Sequence, residues 1–157
     1  MYRDVGMGVF GGDAGKPRSG RSVRNRLIDT LGGGEPLVQE WEIPVMHRAH
    51  VAPSGACARV SWIQGDAANI NNSTESFRMI LPALDDLPGF CSASLLISPS
   101  TGQAVSTVIY ESAEAAARTR DMAQGLRRRA AEQTGSQVLE VAEFELALAH
   151  LRVPELV

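Results

Sequence analysis

Apolar positions between residues 58 and 148 switch repeatedly between a period near two and a period near 3.6. Residues 59–64, Arg-Val-Ser-Trp-Ile-Gln, read as a strand that Gly65 and Asp66 bring to an end. Phe77, Ile80, Leu81 and Leu84 recur at i, i+3, i+4 and i+7, which places all four on one helix face. Asn72 followed by Glu75 predicts a capping box at the start of that helix. Pro82 predicts a kink or a shortened regular stretch. Leu87-Pro88-Gly89-Phe90 then stops the helix and throws the chain into a hairpin of residues 91–98 and 103–111, turned by Pro99-Ser100-Thr101-Gly102. Ser112 predicts the N-cap of a second helix, with Ala115, Thr119, Met122, Leu126 and Ala130 as its buried stripe and Gly135 as its end. Residues 137–146 alternate as a closing strand. The order β-α-β-β-α-β specifies a split βαβ sheet, an α+β ferredoxin-like architecture with both helices on one face.

Upstream the pattern is weaker. Residues 1–20 hold six glycines and almost no apolar periodicity, so they are expected to form a flexible arm. A short helix is expected over 22–31, with Val23, Leu27, Ile28 and Leu31 on one side. Residues 37–45 alternate loosely, and Pro44 restricts them to a sheet margin. The expected organisation is therefore an extension over 1–57, a ferredoxin-like domain over 58–150 and a tail over 151–157.

Composition narrows the classes. Of 157 residues 44% are hydrophobic and 21% charged, so a packed core is expected. A net charge of −3 argues against a protein built chiefly to bind nucleic acid. The basic excess is local: residues 1–30 carry Arg3, Lys16, Arg18, Arg21, Arg24 and Arg26 against Asp4, Asp13 and Asp29. No apolar run approaches the ~20 residues of a membrane span, and no signal-peptide core stands at the start, so a cytoplasmic location is expected. Cys57 and Cys91 then read as reduced thiols.

Ile80-Leu81-Pro82-Ala83-Leu84, the Leu87–Phe90 corner, Tyr110-Glu111-Ser112 before an alanine-rich helix, and the closing Val141-Ala142-Glu143-Phe144-Glu145 together carry a family likeness. From about Ala58 onward the chain resembles the antibiotic biosynthesis monooxygenase-like family of the dimeric α/β-barrel superfamily. The resemblance implies a homodimer with a small apolar pocket between sheet and helices in each protomer. It also implies, for members that oxygenate aromatic polyketides without metal or flavin, that pocket Asn, Trp and Tyr side chains orient the substrate and stabilise an enolate. On that footing Trp62 and Tyr110 are the catalytic candidates, and Gln64, Asn69, Phe77 and Met122 the substrate-binding ones. Asn71 and Asn72 stand nearby; each of these polar residues has an alternative reading as a cap, turn or core group. No cofactor is expected. The family's haem-degrading branch carries a Trp and a His on the second helix, and residues 113–134 contain neither.

Other constellations fall short. His47, His50 and Cys57 have a ligand-like spacing but no fourth partner, so no metal is expected. Gly11-Gly12-Asp13-Ala14-Gly15-Lys16 fails the phosphate-loop pattern at Phe10 and Pro17. The Arg127-Arg128-Arg129 run could meet an anionic ligand, although a solvated helix end is the plainer reading. The function expected is binding of a small apolar or aromatic molecule, with cofactor-independent monooxygenation as its sharper form. The alternative is a non-catalytic ligand-binding or protein-interaction dimer that uses the basic N-terminal arm. No membrane partner is expected in either case.

Overall fold

The computed structural model describes residues 39–147. The chain divides into two compact units, residues 1–41 and 42–157, and the sheet and helices belong to the second. The expectations for the glycine-rich arm, the helix over 22–31 and the tail lie outside the described residues.

Five strands form one antiparallel sheet: β1 (Glu42–Arg48), β2 (Cys57–Gln64), β3 (Phe90–Ser98), β4 (Gln103–Tyr110) and β5 (Gln137–Glu145). Their order across the sheet is β1-β3-β4-β2-β5. Removing β1 leaves the split βαβ arrangement that the alternating periods predict. β1 adds a fifth strand at one edge, antiparallel to β3, so the sheet reaches into residues that the sequence reading assigned to an extension. Pro44 falls in the register shift between Glu42 and Val45, at an edge position where its missing N–H breaks no ladder bond.

The first helix, α1 (Ile70–Asp85), begins earlier than the Asn72–Glu75 box predicted. A 3-10 turn, Ala67–Asn69, leads into it, and Asp66 caps that turn by accepting from the Ala68 N–H at 2.9 Å. Burial of Ile70 in the core draws the helix start forward, and Glu75 is left to pair with Arg78 at 2.6 Å. Pro82 sits in the last turn, where it removes a single backbone donor, and the helix continues to Asp85.

The second helix is two. Ser112 caps α2 (Ala113–Arg118), its Oγ accepting from the Ala115 N–H at 3.1 Å. At Thr119 the backbone leaves helical geometry, and α3 (Arg120–Thr134) follows on a new phase. The reset rotates the stripe: Ala123 is buried, and Met122, expected inside, is 55% exposed. Gly135 ends α3 in the left-handed conformation with φ 65°, as the sequence predicted.

α1 packs over β3 and β1, and α3 lies over β5, so one face of the sheet is covered. The core on that face joins Phe77, Leu84, Leu87 and Phe90 to Leu95, Ile97, Val108 and Tyr110. Gly102, with φ 70°, holds the β3–β4 turn against the Gly65–Ala67 backbone, where an added Cβ would stand 2.5 Å from the Gly65 carbonyl oxygen. Among the described residues no helix is long and apolar enough to cross a membrane.

Candidate functional site

Strand alternation decides what faces the helices. On β2 those side chains are Cys57, Arg59, Ser61 and Ile63; on β4, across the register, they are Tyr110, Val108, Ser106 and Ala104. Trp62 has the opposite parity. It lies on the far face, edge-on to Phe144 of β5 with ring centroids 6.5 Å apart. Trp62 and Tyr110, expected to act together, are thus on opposite sides of the sheet.

Arg59 is the unusual residue of the helix-covered face, an arginine only 2% exposed. A buried guanidinium is tolerated only when its nitrogens are paired, and here all three are. Nε and Nη2 donate to Glu143 Oε1 at 3.0 and 2.8 Å. Nη1 donates to the Tyr110 hydroxyl at 3.0 Å, and Nη2 also donates to the Ala116 carbonyl. The guanidinium carbon lies 5.0 Å from the Tyr110 ring centre. The Thr119 hydroxyl donates to the same Ala116 carbonyl at 3.0 Å. A continuous helix would pair the Ala116 carbonyl with the Arg120 N–H, and two side chains draw on that carbonyl instead, in keeping with the α2–α3 break at Thr119.

Glu143 joins the buried arginine to the surface. Its second oxygen accepts from Arg120 Nη2 at 2.9 Å. Burial by itself would raise the Glu143 carboxyl, but the hydrogen bonds and charges of Arg120 and Arg59 outweigh it and lower the pKa. Beyond this pair a groove of about 700 Å³ opens between α3 and β5. Arg59, Arg120, Arg127, Arg128 and Gln124 line it, with Glu143 the only carboxylate and Ala131, Val138 and Val141 the apolar wall.

A second cavity, a slot of about 60 Å³, lies between α1, α3 and the sheet. Ile63, Phe77, Ile80 and Leu95 supply its apolar lining. Ser73, Ser76, Ser106, Thr134 and Ser136 also border it, and Arg127 stands where slot and groove meet. Among the described residues, the polar side-chain link across the two helices is the Ser76 hydroxyl donating to Gln133 Oε1 at 3.4 Å.

The six expected site residues scatter. Phe77 lines the slot, and Tyr110 is wholly buried as a partner of Arg59. Gln64 instead ties its amide to the carbonyls of Gly65 and Thr101, both at 2.9 Å, and so holds a turn. Asn69 is exposed at the entry to α1, Met122 faces away from the core, and Trp62 is on the far face. Sequence reasoning did not pick out Arg59 or Glu143. The available signal was an arginine in an otherwise apolar strand, answered by a glutamate in the closing one.

The cysteines and histidines do not converge: no three His, Cys, Asp or Glu side chains among the described residues could hold a metal ion. His47 on the β1 edge contacts Asp85 at 2.7 Å and stacks on Phe90. Burial, followed by the nearby Glu143 and Glu111 charges respectively, pushes the Cys57 and Cys91 thiols up, so both are poor nucleophiles at neutral pH.

No family model matches the chain. Two uncharacterized proteins of Mycobacterium tuberculosis, Rv2557 and Rv2558, are 43% and 48% identical over 136 and 137 residues, or 86% of this chain. The chain spans about three fifths of those relatives, 60% and 58% of their lengths. Among solved structures, a protein of Fusobacterium nucleatum provisionally assigned as a monooxygenase matches with a TM-score of 0.55 at 11% identity, over 82% of this chain and 66% of its own. A ferredoxin-fold protein of Listeria monocytogenes related to antibiotic biosynthesis monooxygenases gives 0.48 at 12% identity, over 72% and 68%. Strand order, helix placement and the likeness to the Fusobacterium structure agree: the chain has a ferredoxin-like α+β fold.

Proposed function

We propose that this chain binds a small, largely apolar molecule in the slot between the helices and the sheet. The supporting observation is the lining. Buried Ser76 and Ser106, with half-buried Ser73, Thr134, Ser136 and Arg127, put five hydroxyls and a guanidinium on the border of the cavity. An aromatic or similarly flat body would rest on Ile63, Phe77, Ile80 and Leu95, with its polar substituents on the serines and Arg127. In this state the slot, at about 60 Å³, is well below the ~300 Å³ of a small ligand site. Entry therefore requires α1 and α3 to part, and the long Ser76–Gln133 contact is the polar side-chain link that must yield.

Cofactor-independent oxygenation is the sharper form of this reading. It needs a substrate methylene: one proton leaves to give a stabilised carbanion, molecular oxygen adds as oxidant, and the resulting hydroperoxide loses water with the second hydrogen to leave a carbonyl. Arg127 is suited to the developing oxyanion. The residues lining the slot include no carboxylate or imidazole to take the proton, so binding without turnover is favoured.

The test is titration of the protein with flat phenolic and anthrone-type compounds, followed by calorimetry and by oxygen uptake on metal-stripped protein. Ser76→Leu and Ala130→Phe, which fill the slot, should abolish binding while Trp62→Phe retains it. Binding that survives both fillings, or that Trp62→Phe removes, would put the ligand elsewhere. We also propose a homodimer through the far sheet face, which carries Val60 and Trp62 of β2, Phe144 of β5 and, across β4, Leu96 of β3.

A further inference from the structure

We propose that the groove between α3 and β5 is a binding site for a small molecule carrying at least two negative charges, from carboxylates or a phosphoryl group. Arg120, Gln124, Arg127, Arg128 and Ala131 recur at i, i+4, i+7, i+8 and i+11, so one face of α3 presents donors to a single concave space. Its volume, about 700 Å³, lies within the ~300–1,000 Å³ range of small-molecule sites. A concave space of that size suits a metabolite-sized anion better than a polymer backbone.

The charge balance is the stronger argument. Four guanidinium groups line the groove and one carboxylate answers them. That carboxylate is already committed, with one oxygen to Arg59 and the other to Arg120. Arg128 has only a 3.9 Å contact with Glu132, on the exposed helix surface. Among the described residues Arg127 has no hydrogen-bond or ion-pair partner, although it is partly buried and lies beside Arg59. Burial, and then the like charge of Arg59, disfavour its protonated form, but an arginine side chain has no practical means of giving up its charge. A partly buried cation next to another cation is relieved by an anion from outside. Arginine is the side chain that holds carboxylate and phosphate through paired N–H bonds. Arg59, held on three nitrogens, forms a rigid positive floor. Arg127, Arg128 and Gln124 are the groups with donors to spare.

This site does not depend on the slot reading, although Arg127 borders both. Calorimetry on the full chain at low ionic strength, with pyrophosphate, citrate and benzoate as probes, tests it. Pyrophosphate or citrate should bind at least about tenfold more tightly than the monoanion benzoate, and affinity should fall as salt is raised. Arg127→Gln and Arg128→Gln should each weaken that binding about tenfold. Arg129→Gln, exposed and outside the groove, should change it less than about twofold. The tighter of pyrophosphate and citrate identifies the ligand as phosphoryl or carboxylate in kind. Ser76→Leu, which fills only the slot, should leave pyrophosphate and citrate binding intact even where it removes the apolar ligand. Failure of both multianions to bind below about 5 mM, or an Arg129→Gln loss as large as that of Arg128→Gln, would overturn the proposal. Arg128 is exposed, so its variant is expected to fold even if Arg127→Gln does not.

Discussion

Replacing Glu143 by glutamine removes the one carboxylate among the described residues that touches the buried Arg59, while keeping size and shape. The native pair is asymmetric: the Arg59 side chain is 1% exposed and that of Glu143 28%. Taking one partner from a fully buried ion pair costs about 3–5 kcal/mol, because the other charge stays desolvated. An exposed pair contributes about 0–1 kcal/mol. Water reaches one side of this pair, and the glutamine oxygen can still accept one bond, so we expect a loss of about 2–3 kcal/mol. At roughly 2–4 °C per kcal/mol for a chain of this size, Tm should fall by about 5–10 °C. The pH dependence supplies a second readout. The folded pKa of Glu143 is lowered, so its stabilisation is complete above the unfolded glutamate value of about 4.3 and is lost as pH falls through the folded value. The Tm gap between wild type and Glu143→Gln should therefore narrow as the assay moves from about pH 7 toward about pH 3. Thermal unfolding followed by circular dichroism measures both, with Glu140→Gln, exposed on the same strand, as the control. A Tm change no larger than that of Glu140→Gln at neutral pH, or a gap that widens on acidification, would refute the reasoning.

Gly102→Ala should destabilise by well over the ~1 kcal/mol of a left-handed alanine, because its Cβ would also strike the Gly65 oxygen and the Ala67 nitrogen. Gly135→Ala, equally left-handed but in open space, should cost about 1 kcal/mol, and chemical denaturation of the two variants compares them. Cys57 and Cys91, 5% and 3% exposed with raised pKa values, should resist alkylation at neutral pH until the protein unfolds, as mass spectrometry after timed iodoacetamide treatment would show. Light scattering at micromolar concentration should give twice the chain mass; a monomer mass would leave Trp62 and Phe144 without their expected cover.

Much of the fold could be read locally. A strand's alternation, a helix's i, i+3, i+4 spacing, the Ser112 cap and the left-handed Gly102 and Gly135 are properties of a few consecutive residues, and the structure keeps each of them. Where neighbours competed, local reading failed. Asp66 and the burial of Ile70 took the start of α1 from Asn72, and a side chain from β2 reached the Ala116 carbonyl beside the break that divides the second helix at Thr119.

The sequence by itself determined the strand and helix order, because each element's period is written into its own residues. Tertiary structure decided the sites. Whether Trp62 and Tyr110 meet depends on the β2–β4 register, which pairs Tyr110 with Cys57 and so gives Trp62 the other face. Arg59 and Glu143 stand 84 residues apart, and only the β2–β5 pairing sets them opposite each other. An isolated arginine in a strand and an isolated glutamate in another carry no local sign of partnership. Long-range pairing brings them together, and the low dielectric around the guanidinium gives the contact its energy.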